Sequence, residues 1–201
     1  RKSPMNTLSK VLIAAAGLAV VLGGSVVAIS YSSGPGSCTY PTSGMGLSGE
    51  GTGGFVIEVS REGQPVTSYT PGATYTVTLS APQTYRGFLL QSVAGAPGAP
   101  DQNGVGEFVN LASQYQSGPC TVAASSVGHN SSRRNSAADS DSFEWVAPPE
   151  GTGDVTFHAV GVYSRFDWYG QETLITTTLS EGGTVDTDDE SWSTLKSRYE
   201  S

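Results

Sequence analysis

Lysine is missing from most of this chain: none occurs between Lys10 and Lys196. Between Cys38 and Leu179 only Arg61, Arg86, Arg133, Arg134 and Arg165 carry positive charge, against twelve carboxylates. The net charge is −8. A nucleic-acid or heparin partner requires a basic stripe that neutralises phosphates or sulfates. That class of partner is therefore not expected, and Arg133-Arg134 leaves only a small local patch.

Histidine and cysteine are equally scarce, with His129, His158, Cys38 and Cys120 the only ones present. Two Cys without clustered His are too few ligands for a closed zinc site. His129 with Asp139 or Asp141 has no recognised ligand spacing, so no metal and no cofactor is expected. His158, Asp154 and one of the many serines could be borrowed for a hydrolase, but no Gly-x-Ser-x-Gly elbow occurs. No catalytic residue is assigned, because no positioned partner can be named for either histidine. His158 is expected to face solvent, opposite Phe157 on a strand. His129 is expected to hydrogen-bond a loop to a strand.

What is present points to export. Arg1, Lys2 and Lys10 precede an apolar run from Val11 to Leu22, followed by Gly23-Gly24-Ser25 and the small exit Val26-Val27-Ala28. A basic flank, an apolar stretch and a small-residue exit make a signal peptide over residues 1–30. A retained signal anchor is the alternative, since apolar character reaches Ile29 and roughly 18–20 residues can span a bilayer. A buried core helix fits poorly with the all-β remainder. Met5 is the more natural start, which would make residues 1–4 upstream translation.

Behind such a segment, Cys38 and Cys120 read as one disulfide formed in an oxidising compartment; two free thiols are the alternative. The bridge would close a loop of about 80 residues and, in the chain-entropy model, constrain the unfolded state by about 4 kcal/mol. It would tie down a Gly/Ser-rich lead-in over residues 31–54. Asn130-Ser131-Ser132 is a glycosylation sequon in the polar run Ser125–Ser140, which reads as a surface loop or strand edge.

The body, residues 55–180, is rich in Thr, Val, Tyr and Phe, with turn clusters every dozen residues or so. Phe55, Ile57 and Val59 alternate with Val56 and Glu58. Tyr75, Val77 and Leu79 alternate with Thr74, Thr76 and Thr78 until Ala81-Pro82, where the strand is expected to break. Arg86 to Val93 is nearly continuous in apolar character and predicts a central strand. Ala94 to Gly104 reads as a loop, with Asn103-Gly104 as its turn. Gly106 to Val109 predicts a short strand. Phe143 and Trp145 are expected inside, with Ser142 and Glu144 outside. Val155, Phe157 and Ala159 form another inward set, and Leu174 to Leu179 closes the series. About eight or nine strands in roughly 140 residues predict an all-β, immunoglobulin-like antiparallel β-sandwich, with a barrel as the alternative.

Six landmarks stand in order: Pro71-Gly72-x-x-Tyr75-x-Val77-x-Leu79, Arg86-Gly87-Phe88-Leu89-Leu90-Gln91, Gly106-Glu107-Phe108, Cys120 followed by His129, Phe143-x-Trp145-x-Ala147-Pro148, and Gly151-Thr152-Gly153-x-Val155-x-Phe157. Together they resemble the Reeler domain family from about Cys38 to Leu179. The resemblance implies an immunoglobulin-like sandwich, a secreted or cell-surface setting, and supports the Cys38–Cys120 bridge. Departures are Gly128 before His129, the long Ala94–Gly104 loop and the Cys-Tyr-Pro opening at Cys38.

The function expected is a secreted, non-enzymatic interaction module that binds an extracellular protein, a glycan or a microbial surface. Tyr163, Phe166, Trp168 and Tyr169 form the candidate ligand-facing cluster, with an edge of the core as the competing role. Because Reeler domains also precede DOMON and haem-bearing domains in membrane ferric reductases, an N-terminal fragment of such an enzyme is one alternative. A signal-anchored matrix or adhesion protein is another, the only case in which a membrane would be a partner. Residues 181–201, with Asp186, Asp188, Asp189 and Glu190, read as an acidic tail or linker rather than a calcium site, and Trp192, Leu195 and Tyr199 as a short amphipathic turn.

Overall fold

The computed structural model describes residues 34–38, 45–96, 103–131 and 138–182. The signal segment, the acidic tail beyond residue 182 and part of the Ala94–Gly104 loop lie outside the described residues. Among the described residues there are twelve strands: β1 (Val56–Arg61), β2 (Gln64–Pro65), β3 (Ser68–Tyr69), β4 (Thr74–Tyr85), β5 (Gly87–Ala94), β6 (Glu107–Val109), β7 (Tyr115–Ser117), β8 (Ser126–His129), β9 (Ala138–Val146), β10 (Val155–Ser164), β11 (Asp167–Tyr169) and β12 (Ile175–Glu181). A single 3-10 turn, Ala123–Ser125, precedes β8. The excess over eight or nine comes from two- and three-residue strands, too short to leave an alternating pattern.

The strands form two sheets. One runs β2-β1-β4-β9-β6; the other runs β3-β12-β10-β5-β8-β7, with β11 also paired to β10. All pairs are antiparallel except β12 with β3. Two largely antiparallel sheets packed face to face make the β-sandwich that alternation predicts. The inward residues of β1, β4, β9 and β10 are those named above, and they pack into one core around Val77, Leu79, Phe88, Leu90, Trp145 and Phe157. Burying a side chain of this size stabilises by about 1.5–3 kcal/mol. Trp145 is satisfied inside that core, its Nε1 donating to Ser92 Oγ at 3.1 Å while Ser92 Oγ donates to the Val105 carbonyl at 2.6 Å.

Strand β5 lies in the middle of its sheet, flanked by β10 and β8, as its unbroken apolar run requires. Three expectations are corrected. First, β4 does not end at Ala81-Pro82 but continues to Tyr85, because its register with β9 shifts between Ser80 and Tyr85 and the irregularity accommodates the proline. Second, Ser125–Ser140 is not simply a surface run: Ser126–His129 is the buried strand β8 between β5 and β7. Its polar letters conceal this, since its small residues are packed over, Gly128 by Pro35 and Ser126 by Gly118. Third, His158 does not face solvent; it is 8% exposed, because the outer side of β10 is covered as well as the inner.

Candidate functional site

The landmarks of the sequence prove to be contacts. A side chain at Gly87 would meet the His129 ring, whose Nδ1 lies 3.1 Å from both the amide and the carbonyl of Phe88. His129 thus joins β8 to β5, strand to strand rather than loop to strand. Gly106 holds φ +67°, and the Trp145 indole packs directly on it. Gly151 and Gly153 donate their backbone N–H groups to the two oxygens of the Glu181 carboxylate, at 2.7 and 2.6 Å. Those two bonds hold the Glu181 carboxyl below the usual carboxylate range. Beside them Tyr69 donates to the Gly153 carbonyl at 2.7 Å. Burial first, then the Glu181 and Asp154 charges, push its hydroxyl up to about 12.

On the outer side of the seven-stranded sheet, Cys38 and Cys120 are bonded, and with Leu89 they form a small cluster apart from the main core. Cys38 Sγ touches Gln91 Oε1 at 3.6 Å; a bonded sulfur has no hydrogen to donate, so this is packing. Gln91 Oε1 instead accepts from His158 Nε2 at 2.9 Å. Desolvation lowers the His158 pKa to about 4, which keeps the imidazole neutral.

The candidate aromatic cluster divides. Trp168 is 1% exposed and donates Nε1–H to the Gly46 carbonyl at 2.7 Å, so it fastens the lead-in to β11. Tyr163 is buried, stacks on Phe55 with centroids 4.8 Å apart, and donates to the Gly53 carbonyl at 2.8 Å. The Tyr169 ring lies against Gly49 and Gly53, where no side chain would fit. Only Phe166 is presented outward, at 73% exposure. The four therefore do not share one exposed face.

Phe166 has a neighbouring segment that no sequence pattern marks. Ser164 pairs with Asp167, which leaves Arg165 and Phe166 as the tip of the β10–β11 hairpin. The lead-in runs alongside, with Gly46 N–H donating to the Arg165 carbonyl at 3.1 Å and Gly49 N–H to the Trp168 carbonyl at 2.8 Å. Phe166 packs beside Gly46, and the next residue, Leu47, is 94% exposed. The Arg165 guanidinium sits 5.3 Å from the centre of the Phe166 ring. Two large exposed apolar side chains are thus carried by neighbouring segments that hydrogen-bond to each other, although more than a hundred residues separate them in sequence. The only trace of this in the sequence was a lone leucine in a Gly/Ser-rich stretch.

Asn130 lies half-buried just past β8, its Nδ2 donating to the Ser113 carbonyl at 2.5 Å. Among the described residues no three His, Cys, Asp or Glu side chains gather as metal ligands, and no helix is long and apolar enough to cross a membrane.

A model of the Reeler domain matches residues 47–182. The chain belongs to the Reeler domain family. Human Spondin-1 is 33% identical over 152 residues, which cover 73% of this chain and 18% of that protein; rat Spondin-1 aligns with the same figures. The chain thus spans about a fifth of the length of these curated relatives. The crystal structure of the human F-spondin reeler domain superposes with a TM-score of 0.53 at 30% identity, covering 69% of this chain and 95% of that one. The Reelin-N domain of F-spondin gives a TM-score of 0.51 at 30% identity.

Proposed function

We propose that this Reeler domain recruits an extracellular partner, a protein in the first instance, through the tip formed by Leu47 and Phe166, and that it performs no catalysis. The observation that carries the reading is the exposure of two large apolar side chains, Leu47 and Phe166, on adjacent segments joined by backbone hydrogen bonds. Among the described residues the other exposed large apolar side chains, Val56, Val122 and Leu174, belong to other segments. Anchors of interfaces are apolar or aromatic side chains that enter a partner's pocket, and a few of them dominate affinity. A protruding tip fits a concave site better than a flat polysaccharide face. A glycan or a microbial surface is a different class of target and is tested alongside.

The test is a binding screen with purified domain against extracellular matrix, a glycan array and bacterial cells, comparing the native protein with Leu47→Ser/Phe166→Ser. Burial of each side chain contributes about 1.5–3 kcal/mol, so loss of either weakens binding by about tenfold or more. The variant is expected to keep the native Tm, because both residues are exposed. Equal binding by both proteins would overturn the reading, as would hydrolytic or redox turnover by the native domain. In the same reading residues 1–30 direct export. N-terminal sequencing of the secreted product tests this, with a start near Ile29 or Tyr31 expected and a retained segment the contrary result.

A further inference from the structure

The two central strands of the seven-stranded sheet, β5 and β10, are buried on both sides. Their inward residues Phe88, Leu90, Val155, Phe157 and Ala159 belong to the main core. Their outward residues Leu89, Gln91, Thr156 and His158 are buried as well, yet none belongs to that core. An outer sheet face normally meets water and carries polar residues that need no partner. Here Gln91 is 1% exposed and bonds to His158 in a desolvated layer.

Segment 34–38 lies over part of this layer. Gly34 lies over Gln116, Pro35 packs on Gly128, and Cys38 rests on Gln91 and clusters with Leu89. The covalent fastening is the bond to Cys120. No residue of 34–38 contributes to the main core. The cover and the sandwich are thus separable pieces of packing, the condition for a local opening distinct from global unfolding.

We propose that segment 34–38 is a reduction-sensitive cover, which a small dithiol opens while the sandwich remains folded, uncovering a slot on β5 and β10 built from Leu89, Gln91 and His158. The dithiol supplies two electrons and two protons. The Cys38–Cys120 bond breaks, each sulfur leaves as a thiol, and the reductant becomes a cyclic disulfide. Without the covalent tie, the short segment pays its full ordering entropy for modest packing on Leu89 and Gly128. A newly opened slot would present an amide, an imidazole and an aliphatic wall, suited to a small polar ligand. This inference does not depend on the Leu47–Phe166 tip.

The test treats the folded chain with dithiothreitol, scores reduction by thiol alkylation, and follows His158 with diethyl pyrocarbonate while near-ultraviolet circular dichroism reports the Trp145 core. Expected is an increase of tenfold or more in the rate of His158 modification with an unchanged tertiary spectrum. Cys38→Ser/Cys120→Ser is expected to show the same reactivity without reductant. Complete reduction that leaves His158 as protected as before would overturn the proposal. So would loss of the tertiary spectrum together with the cover, or a double variant that does not fold.

Discussion

Acidification from neutral pH should weaken this fold through one residue, His158. Its imidazole is neutral in the folded state, with a pKa lowered to about 4 by burial and no charged neighbour contributing. In the unfolded chain it returns to about 6.5. Between those values the unfolded state binds the proton and the folded state does not, so stability rises with pH. The contribution is fully present above about pH 6.5 and is lost as pH falls towards 4. A displacement of about 2.5 units at 1.36 kcal/mol each amounts to about 3 kcal/mol in all, with about 2 kcal/mol gone by pH 5. Urea denaturation followed by tryptophan fluorescence at pH 7, 6 and 5 reads this directly. His158→Gln keeps a side-chain donor for Gln91 Oε1 but cannot titrate. The native protein should lose about 2 kcal/mol over that range and the variant much less. Parallel losses in both proteins would refute the reasoning, since the proton would then be taken up elsewhere.

Three further outcomes are expected. The Glu181 carboxyl is held below its ordinary value by the Gly151 and Gly153 amides, so its support is present above about pH 4.5 and fades below it; the Tm gap between native protein and Glu181→Gln should shrink as pH drops from 5 to 3. Tyr69, pushed up to about 12, should destabilise the fold as pH rises from 10 towards 12, and Tyr69→Phe should flatten that alkaline limb in a thermal melt series. Trp168→Ala should cost about 3–5 kcal/mol in chemical denaturation and release the lead-in, read as faster hydrogen exchange over residues 46–49; a loss below about 1 kcal/mol would mean that the lead-in is held by other contacts.

Much of the sandwich was legible because alternation is a direct image of one buried face. Tyr75, Val77 and Leu79, and again Phe143 and Trp145, point where the period of two sends them. That rule fails where both faces are covered. His158 and Gln91 look like outward polar residues, yet both are interior: Cys38, bonded to Cys120, packs on Gln91, and Gln91 in turn bonds to His158. β8 was hidden for the same reason, since small residues beneath a cover have the composition of a surface loop. Glu181 reads as the first residue of an acidic tail, yet its partners are backbone amides of a glycine turn, which carry no side-chain signal. The exposed tip was half visible. Phe166 stood in an aromatic cluster, whereas Leu47 joins it through hydrogen bonds between segments far apart in sequence, and no spacing rule encodes that meeting.

The most direct measurement is the affinity of the folded domain for immobilised extracellular matrix, native against Phe166→Ser, at matched Tm. Phe166 is 73% exposed and supports no part of the core, so its loss should leave the melt unchanged. The account predicts binding weakened by tenfold or more, with further loss on adding Leu47→Ser. Matrix affinity unchanged in both variants, with Tm also unchanged, would contradict it and move the interaction surface away from the β10–β11 tip.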